Sequence, residues 1–138
     1  MNTPYAPTYY AATANPVPNR PALQGEINAD ICIIGAGYTG LSTGLFLAER
    51  GLKVVVLEAA KVGFGATGRN GGQIVNSFSR DIDAIERQVG HDAAKVFGQM
   101  AFEGNRIIRE RIATYNIQCD LKNGGVFAAF TPKQMRHL

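Results

Sequence analysis

The apolar positions between residues 30 and 59 fall into three blocks with different periods. Residues 31–35, Ile-Cys-Ile-Ile-Gly, form a continuous apolar run rich in β-branched side chains, which predicts a buried strand. Residues 38–51 change to helical spacing, with Leu41, Leu45 and Ala48 on one face and Gly51 as a C-terminal stop. Residues 53–59 return to a continuous apolar run and predict a second buried strand. The order strand–turn–helix–strand calls for parallel strands joined by a right-handed crossover. Cys32, inside the first run, is expected as a buried, reduced thiol.

Farther along, Ile82, Ile85 and Val89 share one side of a helix over 81–89. Asp92 can cap a longer helix reaching about Tyr115. Its stripe of Phe97, Met100, Ile108, Ile112 and Tyr115 is expected to pack in a core, with a charged opposite face over 106–112. Residues 119–130 read as a β-hairpin turning at Asn123-Gly124-Gly125. Thr131-Pro132 is a helix start, a cap followed by proline at the first turn. That helix is cut at Leu138, so the chain reads as the N-terminal piece of a longer protein. Residues 1–29, with Pro16, Pro18 and Pro21, read as an extended arm, either mobile or packed on a larger body through Tyr5, Tyr9 and Tyr10. Two regions follow: the arm over 1–29 and an α/β domain, incomplete at its end, over 30–138.

Composition narrows the function classes. An apolar content of 46% with 18% charged residues describes a globular chain. The net charge is only +3 and the basic residues are scattered, so no nucleic-acid footprint stands out. Two cysteines are too few for a disulfide scaffold. No apolar stretch approaches the ~20 residues of a membrane span. No secretory signal is visible, which makes the cytoplasm the expected compartment.

The chemistry-bearing motif is Gly35-Ala36-Gly37-Tyr38-Thr39-Gly40. It leaves a strand and opens a helix, as a dinucleotide-binding turn requires. Gly35 permits the tight turn, Gly37 lets a pyrophosphate approach the backbone, and Gly40 lets helix and strand pack closely. The helix start then offers free N–H groups and the positive end of its dipole to phosphates. Glu58 ends the second strand 18 positions after Gly40, followed by Ala59. A carboxylate there can accept both hydroxyls of an adenosine ribose and would repel a 2′-phosphate, which disfavours NADP. FAD and NAD both suit this first unit.

A second glycine-rich stretch follows. Gly63, Gly65, Gly68, Gly71 and Gly72 fall within ten positions, interleaved with Thr67, Arg69, Asn70 and Gln73. Its backbone N–H groups suit a pyrophosphate or a ribityl chain, and Arg69 could offset phosphate charge. The alternative is a mobile surface loop.

The stretch from Asp30 through residues 63–77, GFGATGRNGGQIVNS, resembles the FAD-dependent amine and amino-acid oxidoreductases of the D-amino-acid oxidase type. The resemblance covers essentially the whole chain, from the arm at residues 9–15 through 100–120 to residues 124–130. It implies a partial Rossmann-like βαβ FAD-binding domain, with an α+β substrate domain still to come. Gly35, Ala36, Gly37, Tyr38, Thr39 and Gly40 would then hold the pyrophosphate, and Glu58 and Ala59 the ribose. Thr67, Arg69, Asn70, Gly71, Gly72 and Gln73 would lie along the inner side of the flavin nucleotide. Some relatives attach flavin through a histidine in this loop; His91 and His137 lie elsewhere, so non-covalent FAD is expected. The implied reaction is oxidation of a small-molecule amine, gamma-glutamylputrescine or a similar compound, with O₂ or another acceptor taking the electrons. Glycine, sarcosine or proline stand as alternative substrates, and a catalytically silent nucleotide-binding fragment as the alternative to an enzyme. No catalytic residue and no metal ligand is assigned.

Overall fold

A strand leaving Asp30 and a strand leaving Lys53 lie side by side, and a helix closes over one face of the pair. The computed structural model describes residues 4–18, 20–76, 78–126 and 128–136. It divides into two units, Met1–Gln73 and Ile74–Leu138.

In the first unit, α1 (Tyr9–Thr13) precedes β1 (Ile31–Ile34), α2 (Tyr38–Ala48), β2 (Val54–Leu57) and a 3-10 turn at Ala66–Gly68. The parallel pairing runs in register from Ile31 opposite Val54 to Ile34 opposite Leu57. The strand entries are locked by Asp30, whose carboxylate accepts the Lys53 N–H at 2.7 Å. The strand–helix–strand expectation therefore holds.

The face that α2 presents to the sheet differs from the expected one. Gly44 is buried, and a Cβ built there would lie 3.1 Å from Val56 Cγ2 and 3.5 Å from Ile33 Cδ1. Leu41 and Ala48 are exposed. The contact runs through Gly40 and Gly44, because small residues one turn apart bring the helix backbone closest to the strands. The C-terminus of α2 does follow its sequence signal. Gly51 has φ 83°, its N–H reaches Ala48 O, and Leu52 N–H reaches Leu47 O at 3.2 Å, the paired bonds of a Schellman stop.

The strands are not buried on both faces. Ile31 and Ile33 are half-buried, whereas Cys32 is exposed and Ile34 is 89% exposed. The expected buried Cys32 thiol is thus corrected. Alternate residues of a strand point to opposite faces, and within the first unit α2 lies over one face of the pair and no described helix lies over the other. The arm also departs from a uniformly extended chain: α1 forms in it, with Thr8 Oγ1 accepting the Ala11 N–H at 3.2 Å.

The second unit holds α3 (Ile82–Val89), α4 (His91–Thr114) and α5 (Pro132–Met135). Gly90, at φ 86°, breaks the chain between α3 and α4 so that the two pack together around Ala94, 2% exposed. Asn116 takes φ 48° and ends α4 with a second Schellman pair, Ile117 N–H to Ile112 O at 2.9 Å and Asn116 N–H to Ala113 O. The expected stripe of α4 does not form a core here: Phe97, Met100, Ile108 and Tyr115 are exposed and Ile112 is half-buried. The expected hairpin is also corrected. Of residues 119–130, those described hold no strand; Phe127 lies outside the described residues. A two-stranded hairpin is marginal without a surface to cover it. Here the Asn123 side chain instead accepts from Arg109 Nη1 at 2.6 Å, tying the would-be turn to α4. The helix start at Thr131-Pro132 does form, with Thr131 Oγ1 accepting the Gln134 N–H at 3.2 Å.

Candidate cofactor site

The end of β1 runs straight into the glycine turn. Gly35 has φ 98° and donates to Leu57 O at 2.7 Å, so the turn begins while the chain is still paired to β2. A Cβ built on Gly40 would stand 1.9 Å from Gly35 O. Only glycine lets the first turn of α2 pass this close to the carbonyl.

Ala36, 2% exposed, is the junction of the site. Its N–H donates to Glu58 Oε2 at 2.8 Å, and its carbonyl accepts the Gly63 N–H at 2.9 Å. The turn is thereby tied both to the end of β2 and to the start of the second glycine loop. The other oxygen of Glu58 accepts the Ala60 N–H at 3.0 Å. These backbone donors, Ala36 first and then Ala60, lower the Glu58 carboxyl from its ordinary value, against an opposing effect of desolvation.

Helix α2 begins with Gly37 as its N-cap, which has no side chain to cap with. The second loop supplies one: Thr67 Oγ1 accepts the Tyr38 N–H at 3.2 Å. A Cβ on Gly37 would lie 3.1 Å from the same oxygen. Asn70 ties the loop together. Its Nδ2 donates to Thr67 O at 2.7 Å and to the Tyr38 hydroxyl at 2.9 Å, and its Oδ1 accepts the Gly72 N–H at 2.9 Å. Arg69 Nε donates to Gly65 O at 3.1 Å. The loop closes tightly at Gly68, where a Cβ would stand 2.4 Å from Gly63 O.

Of the residues singled out from sequence, Gly35 to Gly40, Glu58, Thr67 and Asn70 come together around the start of α2. Ala59 follows Glu58 on the exposed side. Arg69, Gly71, Gly72 and Gln73 are exposed, and Gln73 folds back over Gly71. Sequence reasoning placed Gly63 in the second loop but missed the contact of its N–H with Ala36, and it missed the use of Thr67 as a cap for a helix 29 residues upstream. The density of glycine was the available signal for the first. No local pattern signals the second.

The arrangement fits a dinucleotide. Among the described residues no acceptor takes the N–H groups of Gly37, Thr39 or Gly40, while their neighbours Ala36, Tyr38 and Leu41 are all satisfied. Three open donors at the positive end of a helix dipole would suit phosphate oxygens, and Gly37 and Gly40 leave the backbone bare at two of them. No group of metal-ligating residues occurs among the described residues. No described helix is long and apolar enough to cross a membrane.

Residues 30–138 match the model of the FAD dependent oxidoreductase (DAO) family. The chain belongs to this family. FAD is therefore its cofactor. The chain is 54% identical to gamma-glutamylputrescine oxidoreductase of Escherichia coli over 136 residues, 99% of this chain and 32% of that protein. It is 47% identical over 131 residues to a probable oxidoreductase, OrdL, of Haemophilus influenzae, covering 95% of this chain and 30% of that protein. A Rhizobium meliloti protein of the same description is 37% identical over 108 residues. The chain spans about a third of the length of the first two relatives. No solved structure matches it.

Proposed function

We propose that this chain carries the nucleotide half of the FAD site of an amine oxidoreductase acting on gamma-glutamylputrescine or a closely similar amine. Identity of 54% to the Escherichia coli enzyme of that name supports the substrate class. The observation that carries the cofactor role is the junction at Ala36. It ties Glu58 and the second glycine loop to the turn and, among the described residues, leaves the N–H groups of Gly37, Thr39 and Gly40 open.

In this reading the open N–H groups hold the pyrophosphate and the fixed Glu58 carboxylate accepts the ribose hydroxyls. Both Glu58 oxygens already accept a backbone N–H, yet each keeps lone pairs for a hydroxyl donor. Thr67 and Asn70 act first as framework: they fix the loop against α2, and the exposed faces of Arg69, Gly71, Gly72 and Gln73 remain for the cofactor. Residues 63–73 hold neither histidine nor cysteine, which supports non-covalent binding. Bound FAD supplies the two-electron acceptor for removing a hydride equivalent from the carbon bearing the amine. The resulting imine takes up water and releases ammonia and an aldehyde; with O₂ as the final acceptor the balance is completed by H₂O₂.

The test is the purified full-length protein. A flavin spectrum released by mild denaturation, together with gamma-glutamylputrescine-dependent peroxide formation, is the expected result. Flavin reduction only by glycine, sarcosine or proline would replace the substrate and keep the cofactor site. Protein that neither carries nor takes up FAD would overturn the reading.

A further inference from the structure

Tyr5 lies far from the glycine turn in sequence and outside the residues that the family model matches, which begin at 30. It is nonetheless half-buried and makes three contacts with one short segment. Its hydroxyl donates to Val62 O at 2.8 Å, its ring faces Phe64 with centroids 6.3 Å apart, and Lys61 Nζ sits 5.2 Å from its ring centroid. Tyr9, in the same arm, is 76% exposed and pairs with Tyr10 instead. The arm is thus anchored at a chosen residue.

The segment that Tyr5 grips is the one that reaches the cofactor turn. Val62, whose carbonyl takes the Tyr5 hydroxyl, precedes Gly63, whose N–H donates to Ala36 O. Ala36 in turn donates to Glu58. A continuous path of backbone and hydrogen bonds therefore runs from the arm to the carboxylate at the end of β2. Lys61, Val62 and Phe64 are held from outside by one aromatic ring, and a cation over a ring face adds attraction. A glycine-rich loop has high conformational entropy to lose when it is ordered. An anchor at its first residues lowers the remaining cost of ordering it around a ligand.

We propose that Tyr5 is a positioning residue for the cofactor: by clamping residues 61–64 it holds the Gly63–Ala36 contact and pre-orders the second glycine loop for FAD. This rests on the proposed cofactor role of the turn. The arm then belongs to the cofactor site and is not a passive leader.

The test uses the full-length protein in wild-type form and as Tyr5→Phe, Tyr5→Ala and Tyr9→Ala. Each is stripped of flavin, and FAD affinity, the position of the visible flavin bands and the apoprotein Tm are measured. Tyr5→Phe, which loses only the hydroxyl, should weaken FAD binding roughly fivefold, the scale of one ordinary hydrogen bond. Tyr5→Ala should weaken it more and shift the flavin bands, and Tyr9→Ala should match wild type. A Tyr5→Phe protein with wild-type affinity and spectrum overturns the proposal, whatever happens to Tm and whether or not Tyr5→Ala folds. Wild-type protein that takes up no FAD overturns the cofactor reading and this proposal together. Wild-type uptake with unchanged variants overturns this proposal alone.

Discussion

Glu58 Oε2 and the Ala36 N–H, 22 residues apart in sequence, meet at 2.8 Å. This bond makes the end of one strand the anchor for the turn that leaves the other. If the turn holds FAD as proposed, the bond would also make cofactor retention depend on the protonation of one carboxyl.

Because its backbone donors depress the Glu58 carboxyl below its ordinary value of 4.5, folding favours the ionised form. The stabilisation is present above that value and disappears as pH falls through the lower, folded one. FAD retention in the full-length protein should therefore fall off on the acid side of about 4.5. Glu58→Gln keeps an acceptor for Ala36 but has no charge to lose, so it should bind FAD more weakly at neutral pH and show a flatter acid limb. Fluorescence titration of FAD release against pH measures both. An identical acid limb in Glu58→Gln would remove this carboxyl from the transition.

Gly40→Ala places a methyl group where Gly35 O already stands, 1.9 Å from the built Cβ. Overpacking of this kind costs about 1–3 kcal/mol, and the displaced helix start should also lose FAD. Gly104→Ala, inside α4, meets nothing within 4 Å and should raise stability by up to ~1 kcal/mol, the helix-propensity difference. Denaturant midpoints of the two variants should move in opposite directions.

Thr67→Val removes the oxygen that caps α2 and keeps the shape of the side chain. A lost N-cap costs about 1 kcal/mol. Thr67→Ser keeps the hydroxyl and should restore most of it. Urea unfolding of the three proteins separates the cap from mere packing; equal midpoints would show that the Tyr38 N–H finds water instead at no cost.

Residues 1–138 expressed alone should bind a hydrophobic dye and fail to keep FAD through gel filtration. Ile34 on the bare sheet face, and Met100 at 59% and Phe102 at 64% exposure on α4, are larger apolar side chains than a small soluble domain leaves open together. Stoichiometric FAD retention by this segment would contradict the expectation.

The elements that need only neighbours in sequence were legible without coordinates. The two apolar runs, the helix between them, the glycine turn and the stop at Gly51 depend on local sterics, and they form where the residues predict. The position of Glu58 followed as well, because it ends a strand whose length is set by its apolar run. Contacts between distant segments were not legible. That Gly40 and Gly44, and not Leu41 and Ala48, meet the sheet depends on how closely two backbones approach. That Thr67 caps a helix 29 residues upstream, and that Tyr5 seats on Val62, depends on where the folded chain returns. Cys32, Ile34 and the stripe of α4 read as core from their apolarity, but apolarity states only a need for cover. Whether another layer meets that need is decided by tertiary packing. The 119–130 segment makes the same point: its turn residues suit a hairpin, yet Asn123 is held by Arg109 on α4, because strand pairing requires a partner surface and the side-chain bond does not.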